Sequence, residues 1–227
     1  MCHRAHSRQR KNGGVITDDP VLPAAAHLTG PDADAVLGPA LAAAGLELVS
    51  SRPTQVQYRP GSDLVVRFRA EVRSSAGVSS ETLLAATTVA GPPPGTLPVE
   101  AETAEGTTLH VGVWRWPFDP VLTALEAAVT PHRAAELFGN LVDDRPSIEV
   151  VAYRPTERAV MRVEPSDGRA MFYAKVVSPA TASALIDRHE RLGQAGLPVP
   201  RIWASGPGWV AMEALTGPTL RDQLKEG

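Results

Sequence analysis

The sequence predicts an α+β fold of two tandem antiparallel-sheet-plus-helix units. Three observations predict it. Apolar and polar residues alternate over short runs in both halves, as in residues 63–72, the period of half-buried strands. Other stretches, such as residues 180–195, space their apolar residues every 3.6 positions, as helices do. The tripeptide Tyr58-Arg59-Pro60 returns as Tyr153-Arg154-Pro155. A length of 227 residues accommodates one large domain or two small ones.

In chain order, residues 1–30 read as a flexible tail and linker. Within residues 1–14, Arg4, Arg8, Arg10 and Lys11 stand without an acid, a solvated tail or else a nucleic-acid-binding arm. Residues 15–30 are rich in Pro, Ala and Gly. Residues 31–140 form the expected N-terminal α+β domain, a cap or a degenerate repeat. Residues 32–44 make a helix stopped by Gly45. Strands follow at 47–50, 55–59, 63–72, 80–89 and 107–116, with a Pro-rich loop at 91–98. Helices at 120–129 and 131–138 each open on a proline, which suits the first helical position. The second domain, residues 147–227, begins after a polar joint. It contains strands at 148–154, 158–165 and 171–177 and a helix at 180–195. Strands at 199–204 and 209–215 follow, and then a helix opened by Pro218.

Composition narrows the function classes. Apolar residues make up 43% and charged residues 21%, so a core can form. A net charge of −3 argues against a broad nucleic-acid surface. No apolar run reaches the roughly 18 residues of a membrane span, and the N-terminus lacks the apolar stretch of a secretory signal. The single Cys2 excludes an internal disulfide and a cysteine-based zinc site. These features predict a cytoplasmic protein with no membrane partner.

The repeat extends beyond its tripeptide. At an offset of 95 residues, Val56 meets Val151, Val65 meets Val160 and Arg67 meets Arg162. The shared frame V-x-Y-R-P-x(4)-V-x-R describes a strand, a Pro-containing bend and a returning strand. Duplication of a small antiparallel unit and chance similarity of two hairpins both produce it. The copies then diverge, because only the second carries a lysine, Lys175, on its third strand.

Lys175 is one of three lysines against nineteen arginines. It lies in Met171-Phe172-Tyr173-Ala174-Lys175-Val176-Val177, a strand with two apolar faces. A buried ammonium there needs a partner; an edge-strand lysine would instead snorkel to water. Glu190 lies fifteen residues on, in the following helix, with Asp187 one turn earlier. A strand lysine paired with an acid of the next helix is how protein kinases hold the α- and β-phosphates of ATP.

The surrounding text carries a family resemblance. Tyr153-Arg154-Pro155, Phe172-Tyr173-Ala174-Lys175-Val176, Arg188-His189-Glu190-Arg191-Leu192, Ala195-Gly196-Leu197-Pro198-Val199-Pro200 and Met212-Glu213-Ala214-Leu215-Thr216-Gly217-Pro218-Thr219-Leu220 follow one another in order. Together they resemble the aminoglycoside phosphotransferase and choline kinase-like family, which has the protein-kinase-like fold. The resemblance covers about residues 148–227 and implies that the second unit is a kinase-like N-lobe. Residues 31–140 more weakly resemble the extra N-terminal portion of actinobacterial kinases such as the maltokinases.

The resemblance implies roles for specific residues. Lys175 would bind the α/β-phosphates and Glu190 would orient it. The Glu213 carbonyl and the Leu215 N–H would meet the adenine edge. The bend at 155–159 would lie over the phosphates; it lacks G-x-G-x-x-G, and Arg158 would supply charge instead or stand as a solvated turn residue. The implied cofactors are ATP and Mg²⁺, and the implied partners are a nucleotide and a small-molecule hydroxyl acceptor. The family's H-G-D and later D-x-D, which hold the acceptor and the metal, do not occur. The chain therefore reads as the ATP-binding fragment of a phosphotransferase, inactive alone. The alternative is a non-catalytic regulatory or binding protein that retains this lobe.

Three weaker constellations have structural readings. His132 and Glu136 share a helix face but are only two ligands. Asp143-Asp144 suits a polar joint. Trp114 and Trp116 either pack one sheet face or form a sugar-stacking platform.

Overall fold

The structure, a computed structural model, describes residues 8–10 by their backbone and residues 19–103, 106–215 and 217 in full. The expected basic tail and the helix at Pro218 lie mostly or wholly outside these residues. The chain divides into two compact units, Met1–Pro120 and Val121–Gly227.

The first unit contains β1 (Arg8–Arg10), α1 (Ala24–Thr29), α2 (Ala33–Ala43), β2 (Glu47–Arg59), β3 (Asp63–Ser74), β4 (Gly77–Thr88), β5 (Leu97–Glu102) and β6 (Thr108–Arg115). Its strands form one antiparallel sheet in the order β1-β2-β3-β4-β6-β5. The alternation in β3 decides which face is buried. Leu64, Val66, Phe68, Ala70 and Val72 all turn inward and meet Leu28, Val36, Leu37 and Leu41 of the two helices. Each such large side chain contributes about 1.5–3 kcal/mol on burial.

Two expectations change here. Residues 15–30 are not all linker, because Leu22, Ala24, Ala25 and Leu28 sit in this core. The strands expected at 47–50 and 55–59 are one continuous β2 that runs through Pro53. Proline is tolerated there because β1 pairs only with residues 56–58, which leaves Pro53 on an edge where no N–H is required. The register also shifts between Pro53 and Gln55, leaving Thr54 out of the ladder.

The second unit contains α3 (Leu125–Val129), α4 (Pro131–Phe138), β7 (Ser147–Arg154), β8 (Arg158–Glu164), β9 (Phe172–Val176), α5 (Pro179–Gln194), β10 (Ile202–Gly206) and β11 (Trp209–Glu213). The antiparallel sheet order is β10-β11-β9-β8-β7. One face buries Met161, Val163, Phe172, Ala174, Val176, Trp209 and Ala211. Phe138 of α4 meets this face edge-on, 5.5 Å from the Phe172 ring and 5.3 Å from the Trp209 ring. The expected border at residues 140–147 therefore moves: α3 and α4 belong to the second unit, not to the first. On the other face, α5 packs Ala182, Leu185 and Ile186 against Val177, Val210, Ile202 and Met212. The Ser178 side chain caps α5 by accepting from the Thr181 N–H at 3.3 Å, and Pro179 takes the first position.

The units are built alike. Without β1, the first sheet reads β2-β3-β4-β6-β5 and the second β7-β8-β9-β11-β10, the same order of first, second, third, fifth and fourth strands. Each is preceded by a helix pair. Tyr58 faces Leu64 and Arg59 faces Asp63; at the 95-residue offset, Tyr153 faces Ala159 and Arg154 faces Arg158. The bends close alike, Ser62 N–H donating to Arg59 O at 3.0 Å and Glu157 N–H to Arg154 O at 3.1 Å. The shared register and bend support duplication over chance.

Candidate functional site

Antiparallel pairing brings the candidate cations together. Lys175 on β9 lies between Val160 of β8 and Val210 of β11, and directly opposed residues share a sheet face. That face carries α5. Arg158, two residues before Val160, projects from the same face. Lys175 is half-buried. Burial pushes its ammonium below the usual lysine range, and the positive charges of Arg158 and then Arg188 push it further the same way.

The expected partner is placed differently. Glu190 is exposed on α5, on the flank of the stripe formed by Ala182, Leu185, Ile186 and His189. Among the described residues no carboxylate lies within ion-pair distance of Lys175. The site is thus a patch of three cations without an internal acid, an arrangement that attracts an anion. Arg188 belongs to this patch, and sequence spacing did not single it out. Its signal was its place in the Arg188-His189-Glu190 stretch, one step from the residue that drew attention.

Glu213 ends β11 and Leu215 lies just beyond it. Glu213 pairs with Phe172, its N–H donates to Arg201 O at 2.8 Å, and its carboxylate accepts from the Arg201 N–H at 3.3 Å. Leu215 follows, exposed at 64%.

The bend before β8 holds Thr156 at a φ of 61°. With Pro155 before it, this is the geometry of a type II turn, whose third residue is ordinarily glycine. The first unit meets that requirement with Gly61 at a φ of 65°.

In the first unit the position equivalent to Lys175 is Ala86, fully buried. Ala86 pairs with Gly112 where Lys175 pairs with Val210. A side chain on Gly112 would come within 2.3 Å of the Thr96 hydroxyl and 3.0 Å of Pro92. The 91–96 loop therefore crosses the place that α5 covers in the second unit. This copy has neither the lysine nor the helix.

Trp114 is 4% exposed and so is no stacking platform. His132 and Glu136 are both exposed, and no cluster of three or more potential metal ligands occurs among the described residues. Asp143 binds the N–H of Ser166 at 3.2 Å as well as its hydroxyl, tying the polar joint to the turn after β8. The Ser166 hydroxyl holds the Asp143 carboxyl below its usual range. No described helix is long and apolar enough to cross a membrane.

No family model, curated protein or solved structure matches the chain.

Proposed function

We propose that the second unit is the nucleotide-binding part of an ATP-dependent phosphotransferase acting on small-molecule hydroxyl groups. The observation that carries this reading is the Lys175–Arg158–Arg188 patch without an internal acid. Three cations, two on the sheet strands and one on α5, repel one another unless an anion lies between them, and a polyphosphate has the matching charge. The order strand, bend, strand, strand with Lys175, helix, strand, strand supports the same reading.

In this reading Lys175 takes the α/β-phosphates, with Arg158 and Arg188 flanking it. The Glu213 carbonyl and Leu215 N–H take the adenine edge. A bound polyphosphate moves the Lys175 ammonium back toward the usual lysine range, because a neighbouring negative charge favours the protonated form. The described residues do not fit Mg²⁺, which needs oxygen ligands that they do not gather. Metal chemistry is therefore not assigned to them. A second reading, a non-catalytic binding protein with the same sheet, draws on the exposure of Glu190 and its distance from an ion pair with Lys175.

Thermal unfolding in the presence and absence of Mg·ATP tests the proposal. The expected result is a nucleotide-dependent rise in Tm that Lys175→Met abolishes while the apo fold is retained. No rise in the native chain, or an equal rise in the variant, would overturn it.

A further inference from the structure

On the face opposite its helices, the part of the first sheet away from the 91–96 loop is exposed, and its charges are arranged unevenly. Elsewhere in this sheet arginines are matched to acids across strands. Arg73 of β3 donates to both oxygens of Glu47 at 2.8 Å. Arg115 of β6 grips Glu81 at 2.7 and 2.8 Å. Two rows from the Arg73–Glu47 pair, on the face opposite the helices, the pattern breaks. Arg52 on β2 stands directly opposite Arg69 on β3, on the same face. Directly opposed residues bring their Cβ atoms to about 5 Å, and like charges there repel. Neither guanidinium has an acid partner among the described residues, and both are exposed. In the next row Glu71 faces Ser50 on one side and Ser80 on the other, and its carboxylate is also without an ion pair among the described residues.

These groups line one concavity of about 530 Å³ with Ser51. Two unmatched guanidiniums at one end suit a doubly charged oxyanion, which each can bind through two N–H groups. A carboxylate and serine hydroxyls at the other end suit ligand hydroxyls, since an ionised carboxylate only accepts hydrogen bonds. The Glu71 charge disfavours a bare anion and favours one that carries hydroxyls. The volume exceeds that of a lone phosphate and falls within the range of small-molecule sites.

We infer that the Arg52–Arg69 pair and the Glu71–Ser50–Ser80 row form a binding site for a phosphorylated small polyol, such as a sugar phosphate. The site stands apart from the nucleotide reading, because Lys175 and its neighbours lie on the other sheet.

The test uses the full chain carrying Lys175→Met, so that the cations of the second sheet do not dominate the response. Glucose 6-phosphate, inorganic phosphate and glucose are titrated separately and followed by amide chemical shifts. Glucose 6-phosphate is expected to move resonances of residues 50–52, 69–71 and 80, with glucose giving no saturable shift. Arg52→Ala and Arg69→Ala should each weaken its binding about tenfold. Their Tm should hold or rise, since each substitution removes a like-charge contact. Glu71→Gln should weaken glucose 6-phosphate and not inorganic phosphate. Three results would overturn the site: no shifts at these strands, binding that survives the double arginine variant, or inorganic phosphate binding as tightly as the ester.

Discussion

Gly61 and Thr156 stand 95 residues apart at the same corner of two hairpins, with φ of 65° and 61°. Glycine occupies that conformation freely, whereas a β-branched residue crowds its own backbone there. Thr156→Gly is therefore expected to stabilise the second unit by about 1 kcal/mol, somewhat less than the αL penalty because glycine also gains freedom when unfolded. Urea unfolding of the variant against the native chain measures it. A loss of stability would mean that Thr156 contributes contacts worth more than its strain.

Asp19 holds the equivalent bend of the first unit. Its carboxylate accepts from the Gly61 N–H and the Tyr58 hydroxyl, both at 2.9 Å, and from the N–H groups of Val21 and Leu22. The Gly61 bond is the main reason its carboxyl lies below the usual aspartate range. Asp19→Ala should cost about 1–2 kcal/mol through these lost bonds. The folded-state pKa is depressed, so this contribution is complete above the unfolded value of 3.8 and disappears as pH falls through the folded one. Acid titration of stability should show the native chain and the variant converging at low pH.

Lys175 has the opposite dependence. Its folded-state pKa lies below the 10.5 of an ordinary lysine, so between the two values the unfolded chain holds more protons. Stability then rises with pH through that window. Lys175→Met should relieve a small cost at neutral pH, under about 1 kcal/mol for so partly exposed a group. The difference should shrink as pH approaches 10.5. Denaturation of both proteins across that range reads the slope directly.

Gly112 is set by a close approach. A methyl group there would strike Thr96, whose hydroxyl is already engaged with Pro93 O at 2.7 Å. Gly112→Ala is expected to cost about 1–3 kcal/mol by overpacking. A neutral result by thermal unfolding would show that the 91–96 loop yields easily.

Phe138 packs edge-on against both Phe172 and Trp209. Phe138→Ala should lower stability by about 3–5 kcal/mol, with the loss read at Trp209 fluorescence because the ring contact is direct. An unchanged Trp209 signal would return α4 to the first unit.

The sequence by itself determined the α+β class, most strands, α2, α4 and α5 within one or two residues, and a Pro-containing bend after each Tyr-Arg pair. Those features rest on local rules: alternation, 3.6-residue spacing, and proline as a breaker of strands. It also pointed to Lys175 and Arg158, since a lysine between apolar strand residues and an arginine beside a bend are visible in the text. Only the tertiary structure decided where α3 and α4 belong, because a helix shows that it has an apolar face but not which sheet covers it. The same reason hid α1 inside an apparent linker and β5 behind a proline-rich loop, where short segments gain their order from neighbours distant in sequence. Strand pairing put Arg158 beside Lys175, and the docking of α5 brought Arg188 to them and left Glu190 exposed, since spacing along a helix does not fix how the helix is rotated on its sheet. The Arg52–Arg69 juxtaposition has the same origin: strand register, set by the hydrophobic face and two bulges, chose which charges face each other.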